Sequence, residues 1–447
     1  MKITEFVMKF YDRTEELAIL RRIRRDSLSS ARFTVLTGRR RVGKTELLKH
    51  AFAKEGYLYF FIARRSEAEL CENFTAEVVE KLGVPSPGRF AHVSDVIAYV
   101  MKLAKDRPIT LIVDEFQELG RIDGGAYSSL QRDWDLLKNE MRLNLIVSGS
   151  VHRLMNRIFR DRHEPLYGRQ TEFLKLSPFS LRVQKEILSD CHPGMKNEDL
   201  LALYALTGGV AKYVELLMDN RAYDRDAMLD VVFRPESTFQ EEGKACLSDE
   251  FGKDYGTYFT ILSAIARGRT GRSDIENAVG GGEVGGYLKN LMDEYGLISR
   301  LQPVFDKPQA KNVRYRLDDN FFLFWFRFIA RYSYMLEIGA HERLKELVKR
   351  DWNVFSGQML ERYFRQQYAE RKGFTRIGSW WDRKGENEID LIAEDELDKR
   401  AVIAEIKRDP ERLSLAVLKG KAEVFSRVSG RLKGYRVDHR LLSLEDM

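Results

Sequence analysis

The chain has 447 residues, 44% of them hydrophobic, and its 74 basic and 68 acidic side chains leave a formal net charge of +6. This length accommodates about two to four domains with cores of their own, and the near balance of charges permits contact with nucleic acid without requiring it. Its three cysteines are too few and too far apart for a disulfide framework or a Cys-x-x-Cys zinc site, and they fit a reducing compartment.

A membrane location is not expected. The longest aromatic and apolar stretch, residues 320–336, is short for a bilayer span and contains Arg327 and Arg331, so it is predicted to be a buried aromatic helix. The chain opens without a signal-peptide pattern. These observations predict a cytoplasmic protein.

The first predicted element is an amphipathic helix with Leu17, Leu20 and Ile23 on one face. Tyr11 and Arg13 precede it, and they are placed to stack on adenine if the next segment binds a nucleotide. The alternative is a surface helix with a cationic face.

Residues 33–50, FTVLTGRRRVGKTELLKH, predict a buried strand, a phosphate-binding loop and a helix. The loop fits G-x-x-x-x-G-K-[ST], in which the two glycines let the backbone close around phosphate oxygens. Lys44 would neutralise the β- and γ-phosphates, and the Thr45 hydroxyl would ligate Mg²⁺. The alternative is a glycine-bearing turn that binds nothing. The residues expected to bind ATP here are Gly38, Arg39, Arg40, Arg41, Val42, Gly43, Lys44, Thr45 and Glu46.

A second buried strand, residues 109–113, ends in Asp114 and Glu115. Asp114 would hold Mg²⁺ through water, and Glu115 would orient and deprotonate the attacking water. An acidic pair after a strand is also a common helix N-cap, which is the alternative.

Two further polar groups are candidates for catalysis. Ser148 ends the predicted strand of residues 143–150 and would contact the γ-phosphate and the attacking water, unless it only forms a turn. Arg169 follows in a loop and would act as an arginine finger, on its own subunit or across a subunit boundary. A solvated surface arginine is the alternative.

Together these segments resemble the archaeal-type ATPases of the AAA+ and STAND-related P-loop class over residues 10–235. The resemblance rests on GRRRVGKT, LIVDEFQE, LIVSGS, PLYGR and TGGVAKYVELL. It implies an ASCE-type parallel sheet, with an extra strand between the phosphate-loop strand and the Asp114 strand, and a small helical lid. The lid motif T-G-G-x-P has Ala211 at its proline position. Lys212 would reach the phosphates as a second sensor, or lie exposed on the lid helix.

Residues 236–250 are polar and weakly patterned, which favours an interdomain connection. Beyond them the pattern predicts a helix over residues 255–267, a short helix capped by Ser273, a helix over residues 285–295 and a hairpin. This order is typical of a winged helix-turn-helix, a module that docks on duplex DNA or serves protein contacts. The side chains expected to contact phosphates are Arg267, Arg269, Arg272, Lys289, Lys307, Lys311 and Arg314.

Residues 315–328, YRLDDNFFLFWFRF, resemble the start of the C-terminal domain, of the DUF234 type, that commonly accompanies this ATPase family. Phe321, Phe324, Trp325 and Phe328 form a helical aromatic stripe. We expect this stripe to pack in a core, and no ligand is assigned to it.

Carboxylates recur near the end of the chain. Glu361 lies on a predicted helix and Asp390 on a predicted strand, while Glu405 and Lys407 share a face of the next strand because they are two residues apart. This is the pattern of the PD-(D/E)xK nuclease fold, which the family's C-terminal domain is held to resemble. A half-exposed edge strand shows the same alternation of charge, and the pattern is permissive.

Clustered carboxylates repel one another unless they are protonated or bridged by cations. A second divalent metal, Mg²⁺ or Mn²⁺, is therefore expected among Asp390, Glu405 and Glu361. Lys407 would orient or help deprotonate the hydrolytic water.

The sequence thus predicts an α/β protein with a P-loop ATPase core (1–180), a helical lid (181–240), a winged helix (241–317) and a nuclease-like domain (318–447). It would bind and hydrolyse ATP with Mg²⁺ and act on nucleic acid, DNA in preference to RNA. One alternative is a STAND-like nucleotide switch that changes its assembly, with an inactive C-terminal domain. Another is DNA-binding regulation by the winged helix. The sequence leaves open whether the chain forms a homo-oligomer.

Overall fold

A computed structural model of the chain describes residues 8–251, 255–307 and 312–447, so Lys311, one of the expected phosphate contacts, lies outside the described residues. The backbone divides into two compact units. The N-terminal unit spans residues 11–177, and the remaining described residues form the C-terminal unit. Within the described ranges, no helix combines the length and the apolar character that a bilayer crossing requires.

A parallel sheet forms the centre of the N-terminal unit, with the strand order β2-β3-β4-β1-β5. β3 and β4 are buried along their whole length, as expected for apolar strands covered on both faces. Because β4 lies between β1 and β3, the extra strand implied by the family resemblance is confirmed. The strands are β1 (Arg32–Gly38), β2 (Leu58–Phe61), β3 (Ile109–Asp114), β4 (Leu143–Gly149) and β5 (Glu172–Leu176).

Helices cover this sheet and complete one hydrophobic core. Phe33 of β1 contacts Trp134 at a ring distance of 5.1 Å, and Phe60 of β2 stacks on Phe74 at 4.3 Å. A single-turn 3-10 helix, Phe116–Glu118, follows β3. The helices are α1 (Thr14–Asp26), α2 (Lys44–Phe52), α3 (Glu67–Leu82), α4 (Val93–Leu103), α5 (Leu119–Ile122), α6 (Ala126–Leu137) and α7 (His152–Arg160).

The C-terminal unit begins with the helices predicted as the lid. Gly209 precedes α10 with φ 75°, and a Cβ there would lie 2.5 Å from the carbonyl oxygen of Phe179. Only glycine therefore fits this turn without strain. The helices are α8 (Leu181–Cys191), α9 (Asn197–Thr207), α10 (Ala211–Asp219) and α11 (Arg225–Phe233).

Residues 236–250 do not form the expected connection. They belong largely to α12 (Thr238–Phe251), in which Phe239, Cys246 and Leu247 are buried. The spacing of seven and eight residues places these side chains on one helical face. The interpretation as a linker was wrong because polar residues between them obscure the apolar face.

Three helices and an antiparallel pair of strands follow, in the order expected of a winged helix. The second helix starts at Arg272 after Gly271, so Ser273 lies inside it and was wrongly predicted as its cap. The elements are α13 (Tyr255–Ala266), α14 (Arg272–Ala278), α15 (Gly285–Asp293), β6 (Ile298–Leu301) and β7 (Arg314–Leu317).

The aromatic segment is helical, but it is not the single α-helix that was predicted. A π-helical turn, Trp325–Ile329, and a 3-10 turn, Ala330–Tyr332, separate α16 (Asn320–Phe324) from α17 (Ser333–Glu337). The aromatic stripe itself is buried, as expected, whereas Tyr334 is 57% exposed.

A four-stranded sheet with the order β11-β10-β9-β8 completes the C-terminal unit. β8, β9 and β10 are antiparallel neighbours, and β11 pairs in parallel with β10. A 30-residue helix precedes the sheet and another helix comes between its last two strands. The elements are α18 (His341–Glu370), β8 (Arg376–Trp381), β9 (Glu388–Asp395), β10 (Arg400–Ile406), α19 (Leu415–Ser429) and β11 (Arg436–Leu442).

Helix α9 is linked to the C-terminal part of the same unit by a carboxylate that accepts hydrogen bonds from two side chains. Glu198 accepts hydrogen bonds from Trp352 Nε1 at 2.6 Å and from Arg408 Nη2 at 2.6 Å. Arg408 also donates to Ser356 Oγ at 2.7 Å. Both charged side chains are only 20% exposed, so this ion pair is better shielded than a surface pair.

We expect Glu198→Gln and Arg408→Gln each to lower the free energy of unfolding of the C-terminal unit by about 2 kcal/mol, because each removes the charge-assisted hydrogen bond between the two side chains. The double variant should lose less than the sum. Urea denaturation measures this, with Arg343→Gln as a control because Arg343 forms an exposed pair with Glu346. Additive losses would contradict the coupling.

Candidate functional site

The phosphate loop joins β1 to α2 and is built around two glycines. Gly43 begins α2 with φ 97°, a conformation that glycine adopts readily. A Cβ on Gly38 would lie 2.7 Å from the carbonyl oxygen of Leu176, so the loop backbone passes too close to β5 for a side chain. Lys44 Nζ donates to the carbonyl oxygens of Gly38 at 3.0 Å and Arg39 at 3.2 Å. Burial lowers the pKa of Lys44, while Glu115 and Asp114 oppose that shift.

Asp114, at the end of β3, is the acceptor on which the site converges. Its Oδ2 accepts from the Thr45 hydroxyl at 3.0 Å and from the Tyr59 hydroxyl at 2.6 Å. Its Oδ1 accepts from the Ser148 hydroxyl and, at 3.0 Å, from the backbone N–H of Glu115. The side chain is buried. The donors therefore replace the water that a carboxylate would otherwise require.

Glu115 adopts φ 52°, which is uncommon for a residue other than glycine and occurs most often at functional sites. Its Oε2 accepts from the Ser150 hydroxyl at 2.9 Å and from the side-chain amide of Gln117. The carboxylate is thereby held at the carboxyl edge of the sheet, beside Asp114.

These residues fit a nucleotide triphosphate with Mg²⁺. Thr45 and Asp114 offer a hydroxyl and a carboxylate, the oxygen donors that Mg²⁺ prefers. The bare backbone at Gly38 and Gly43 and the N-terminus of α2 suit phosphate oxygens. The sequence motif and the local geometry thus agree on the chemistry of this site.

The remaining residues that were expected to bind ATP differ in their exposure and in their contacts. Arg13 is buried and donates to the carbonyl oxygens of Val42 at 3.2 Å and Ser177 at 2.9 Å. This contact braces the phosphate loop, and the stacking of Arg13 on adenine stays a prediction. Tyr11 is buried. The others are half-buried Arg39 and Arg41, exposed Arg40 and Glu46, and fully buried Val42.

Three further residues that were expected to act on the nucleotide make other contacts in the structure. Ser148 is fully buried and donates to Asp114, which favours positioning of that carboxylate over contact with the attacking water. Arg169 donates to Asp135 at 3.2 Å. Lys212 belongs to the C-terminal unit and pairs with Glu215 at 3.1 Å. The roles of Arg169 and Lys212 stay predictions.

Sequence reasoning missed Tyr59, Gln117 and Ser150. Tyr59 lies on β2, whose pairing with β3 brings its hydroxyl to Asp114. A tyrosine in a strand next to an aspartate-ending strand was the available signal, but the strand order and the face had to be known first. Ser150 lies two residues beyond the serine that was chosen.

A second set of charged side chains meets in the C-terminal unit, on α18, β9 and the end of β10. Lys407 Nζ contacts Asp390 Oδ2 at 3.0 Å and Glu405 Oε1 at 3.1 Å. The backbone N–H of Ile406 donates to Asp390 at 2.8 Å. Asp390 and Glu405 are both buried. The structure therefore brings together the strand aspartate and the E-x-K pair.

Lys421 of α19 joins this cluster and was not predicted. Its Nζ donates to both carboxylate oxygens of Glu405 at 2.8 Å. Arg365 contacts Glu361 at 3.3 Å and the carbonyl oxygen of Asp390 at 2.9 Å. The carboxyl groups thus have ammonium and guanidinium partners, which the expectation of a bridging metal did not take into account.

Burial raises the pKa of Glu361 to about 7, and Asp390 adds to the shift while Arg365 opposes it. Burial alone would lower the pKa of Lys407, but Asp390 and Glu405 outweigh it and raise that pKa. The cluster therefore holds a charged lysine beside a carboxyl group that titrates near neutral pH.

Comparison with known proteins places both regions among proteins of known families. A family model described as an ATPase domain predominantly from Archaea matches residues 10–217. Another, described as archaeal and bacterial proteins of unknown function, matches residues 325–414. An uncharacterized protein of Methanocaldococcus jannaschii is 30% identical over 407 residues, which cover 89% of this chain and 87% of that protein.

Two solved structures match most of the chain. The Walker-type ATPase of Pyrococcus abyssi has a TM-score of 0.56 at 20% identity, covering 71% of this chain and 96% of its own. The ORC2 protein of Aeropyrum pernix has a TM-score of 0.49 at 15% identity, covering 74% of this chain and 97% of its own. The first supports the fold assigned to the chain.

We expect Tyr59→Phe to weaken Mg²⁺-dependent binding of a fluorescent ATP analogue by about fivefold, because Asp114 loses one of its donors. Binding in EDTA should not change, since the phosphate loop itself is intact. A fluorescence titration at stepwise Mg²⁺ concentrations measures both, and Tyr57→Phe is the matched control. Equal weakening with and without Mg²⁺ would contradict a role through Asp114.

The raised pKa of Glu361 predicts a pH dependence of stability. The folded state holds its proton up to about pH 7, whereas the unfolded chain releases it near the usual glutamate pKa of 4.5. Stability contributed by this group is therefore present below the lower value and lost as pH rises through the higher one. In EDTA, Glu361→Gln should raise the melting temperature at pH 8 and not at pH 4.5, and Glu346→Gln is the control. A gain of the same size at both pH values would contradict the assignment.

Proposed function

The chain belongs to the family of P-loop ATPases found predominantly in Archaea, with a DUF234-type C-terminal domain, and on this premise we propose that it couples ATP hydrolysis to an action on nucleic acid. The observation that carries the ATPase assignment is the meeting of Thr45 and Asp114 at 3.0 Å beside the phosphate loop. We further propose the division into ATPase core, lid, winged helix and nuclease-like domain, and a cytoplasmic location.

Hydrolysis would divide between residues of three elements. Lys44 would bind the β- and γ-phosphates, while Thr45 and Asp114 would hold Mg²⁺, which neutralises the charge that develops during phosphoryl transfer. Glu115 would orient the attacking water and accept its proton. Ser150 and Gln117 support this role because they fix the Glu115 carboxylate.

Arg169 comes just before β5, at the edge of the sheet opposite the phosphate loop, so as an arginine finger it would have to reach a phosphoryl group bound in a second copy. Arg169 and Asp135 are 29% and 39% exposed, so their ion pair is weak enough for Arg169 to leave Asp135 and contact a phosphoryl group instead. Lys212 would act as a second sensor of the phosphates. The action of Arg169 across a subunit boundary would require a homo-oligomer.

DNA binding is proposed for the three-helix segment and its strand pair. Arg272 and Arg314 form ion pairs with Glu276 at 2.8 Å and Glu388 at 2.9 Å, which makes them poorer phosphate ligands than expected. The exposed cations that support contact with the DNA backbone are Arg267, Arg269, Lys289 and Lys307.

Nuclease activity is proposed for the C-terminal cluster. Asp390, Glu405 and Glu361 would hold a divalent cation, Mg²⁺ or Mn²⁺, because carboxylate oxygens suit both ions. Lys407 would orient or help deprotonate the hydrolytic water. Its contact with both Asp390 and Glu405 supports a position at the centre of the site.

One observation favours the alternative of a nucleotide switch with an inactive C-terminal domain. Lys421 engages both oxygens of Glu405 at 2.8 Å, so this carboxylate has its counter-charge from the protein itself. A cation would have to displace Lys421 or share Glu405 with it. The switch would then report nucleotide occupancy through assembly.

We expect Lys44→Ala to abolish ATP turnover and leave the fold intact, because it removes the cation at the phosphates. The experiment incubates purified protein with labelled DNA or RNA, with and without ATP and Mg²⁺ or Mn²⁺. ATP turnover is measured as the release of phosphate. Cleavage of the nucleic acid is measured by gel electrophoresis. Lys407→Ala and Glu405→Ala should abolish cleavage and keep ATP turnover.

The variants separate the two candidate functions. Metal-dependent cleavage that is lost in Glu405→Ala supports the nuclease. No cleavage together with nucleotide-dependent oligomerisation supports the switch. If Lys44→Ala hydrolyses ATP as fast as the unaltered protein, the ATPase assignment itself is overturned.

A further inference from the structure

A cavity lies where the segment after β6 runs along the edge of the C-terminal sheet. The backbone N–H of Val304 donates to the carbonyl oxygen of Ser379 on β8 at 2.8 Å. Val304 also packs over Gly378, where a Cβ would lie 3.2 Å from the valine side chain. This fixes residues 302–307 against β8 and forms one wall of the cavity.

The cavity has a volume of about 480 Å³, within the usual range of about 300–1,000 Å³ for small-molecule sites. Phe305 is one of the residues that line the cavity. Its backbone has φ 75°, a strained conformation for an aromatic residue. Such strain persists only where surrounding structure enforces it, and it concentrates at ligand clamps and active sites. Phe305 is held by its contact with Phe425 at a ring distance of 6.0 Å.

Two arginines from separate elements flank the Phe305 ring. The guanidinium carbon of Arg376, on β8, lies 4.9 Å from the ring centroid, and that of Arg431, after α19, lies 5.6 Å from it. Contacts of this kind orient the planar guanidinium groups without consuming their N–H donors. Arg376 has a loose ion pair with Glu394 at 3.8 Å.

The charge of the lining favours an anion. Lys307, Arg376 and Arg431 contribute three positive charges, and Asp306 contributes one negative charge. Guanidinium groups bind phosphate through two parallel hydrogen bonds, and their flat faces also stack on nucleobases. The guanidinium groups held by the Phe305 ring thus match both parts of a nucleotide.

We propose that this cavity binds an unpaired nucleotide of a nucleic-acid strand, with Arg376 and Arg431 on its phosphate. The inference rests on the proposed action on nucleic acid and names the form of the substrate. A concave site of this volume accepts one nucleotide turned out of a strand, whereas the backbone of an intact duplex is convex and its bases are stacked inside. Single-stranded DNA and RNA share the chemistry that would be recognised.

The test measures fluorescence anisotropy of labelled single-stranded DNA, single-stranded RNA and duplex DNA with the full chain and its variants. The double variant Arg376→Gln/Arg431→Gln should bind a single strand at least about tenfold more weakly, because two charge-assisted hydrogen-bonding groups are removed. The slope of log affinity against log salt should become shallower by about 0.7 for each phosphate that the protein no longer neutralises. ATP turnover should stay unchanged, because neither arginine belongs to the nucleotide site.

Two further variants keep the result specific. Arg343→Gln removes an exposed arginine of α18 that pairs with Glu346, and it should leave affinity and salt dependence unchanged. Phe305→Leu keeps the charges and removes the ring that orients them, so it should weaken single-strand binding with a smaller change in salt dependence.

The outcomes separate this inference from the proposed function. If the unaltered protein binds none of the three nucleic acids, the proposed action on nucleic acid fails. If it binds a single strand and the double variant binds equally well, the cavity assignment is overturned. A decrease in affinity of the double variant that is equally large for single-stranded and for duplex nucleic acid would also overturn it. A decrease confined to single-stranded DNA or RNA supports it and identifies the strand.

Discussion

The nucleotide site depends on the need of one buried carboxylate for hydrogen-bond donors. The two carboxylate oxygens of Asp114 accept hydrogen bonds from four groups. Three are side-chain hydroxyls from α2, β2 and β4, and the fourth is the backbone N–H of the next residue, Glu115. Burying a carboxylate without such donors would cost several kcal/mol. The strand order β2-β3-β4-β1 is what makes the arrangement possible, because it places β3 between two strands that supply hydroxyl groups. The strand order of the sheet therefore also supplies the hydrogen-bond donors that the buried carboxylate of the site requires.

Residues whose roles follow from local pattern could be predicted from the sequence. Lys44, Thr45 and the Asp114–Glu115 pair come from contiguous motifs, in which a strand ends and a loop or helix begins. Tyr59 and Lys421 could not, because their contacts depend on which strand or helix becomes the neighbour. The same limit explains α12, where three buried side chains hidden among polar residues decide the structure once a partner surface is present.

The C-terminal cluster shows how the same limit affects charge. From the sequence, Glu361, Asp390 and Glu405 looked like carboxylates in need of a metal. In the fold, Lys407 and Lys421 reach Glu405 from two directions, and Arg365 reaches Glu361. Carboxylates that would repel one another in isolation can be neutralised by lysines from distant parts of the chain. Charge balance at a site thus requires the tertiary structure, although the acidic residues themselves were identified correctly as neighbours.

The packing of helix α9 against the long helix α18 has an evolutionary consequence. Tyr204 donates to Gln366 at 3.0 Å and its ring meets that of Tyr363 at 5.6 Å, in addition to the carboxylate shared through Glu198. The packing of α9 therefore depends on matching side chains of α18. Among homologues, substitutions on these two helices should be inherited together, and gene fusions that pair this lid with a foreign C-terminal domain should be rare.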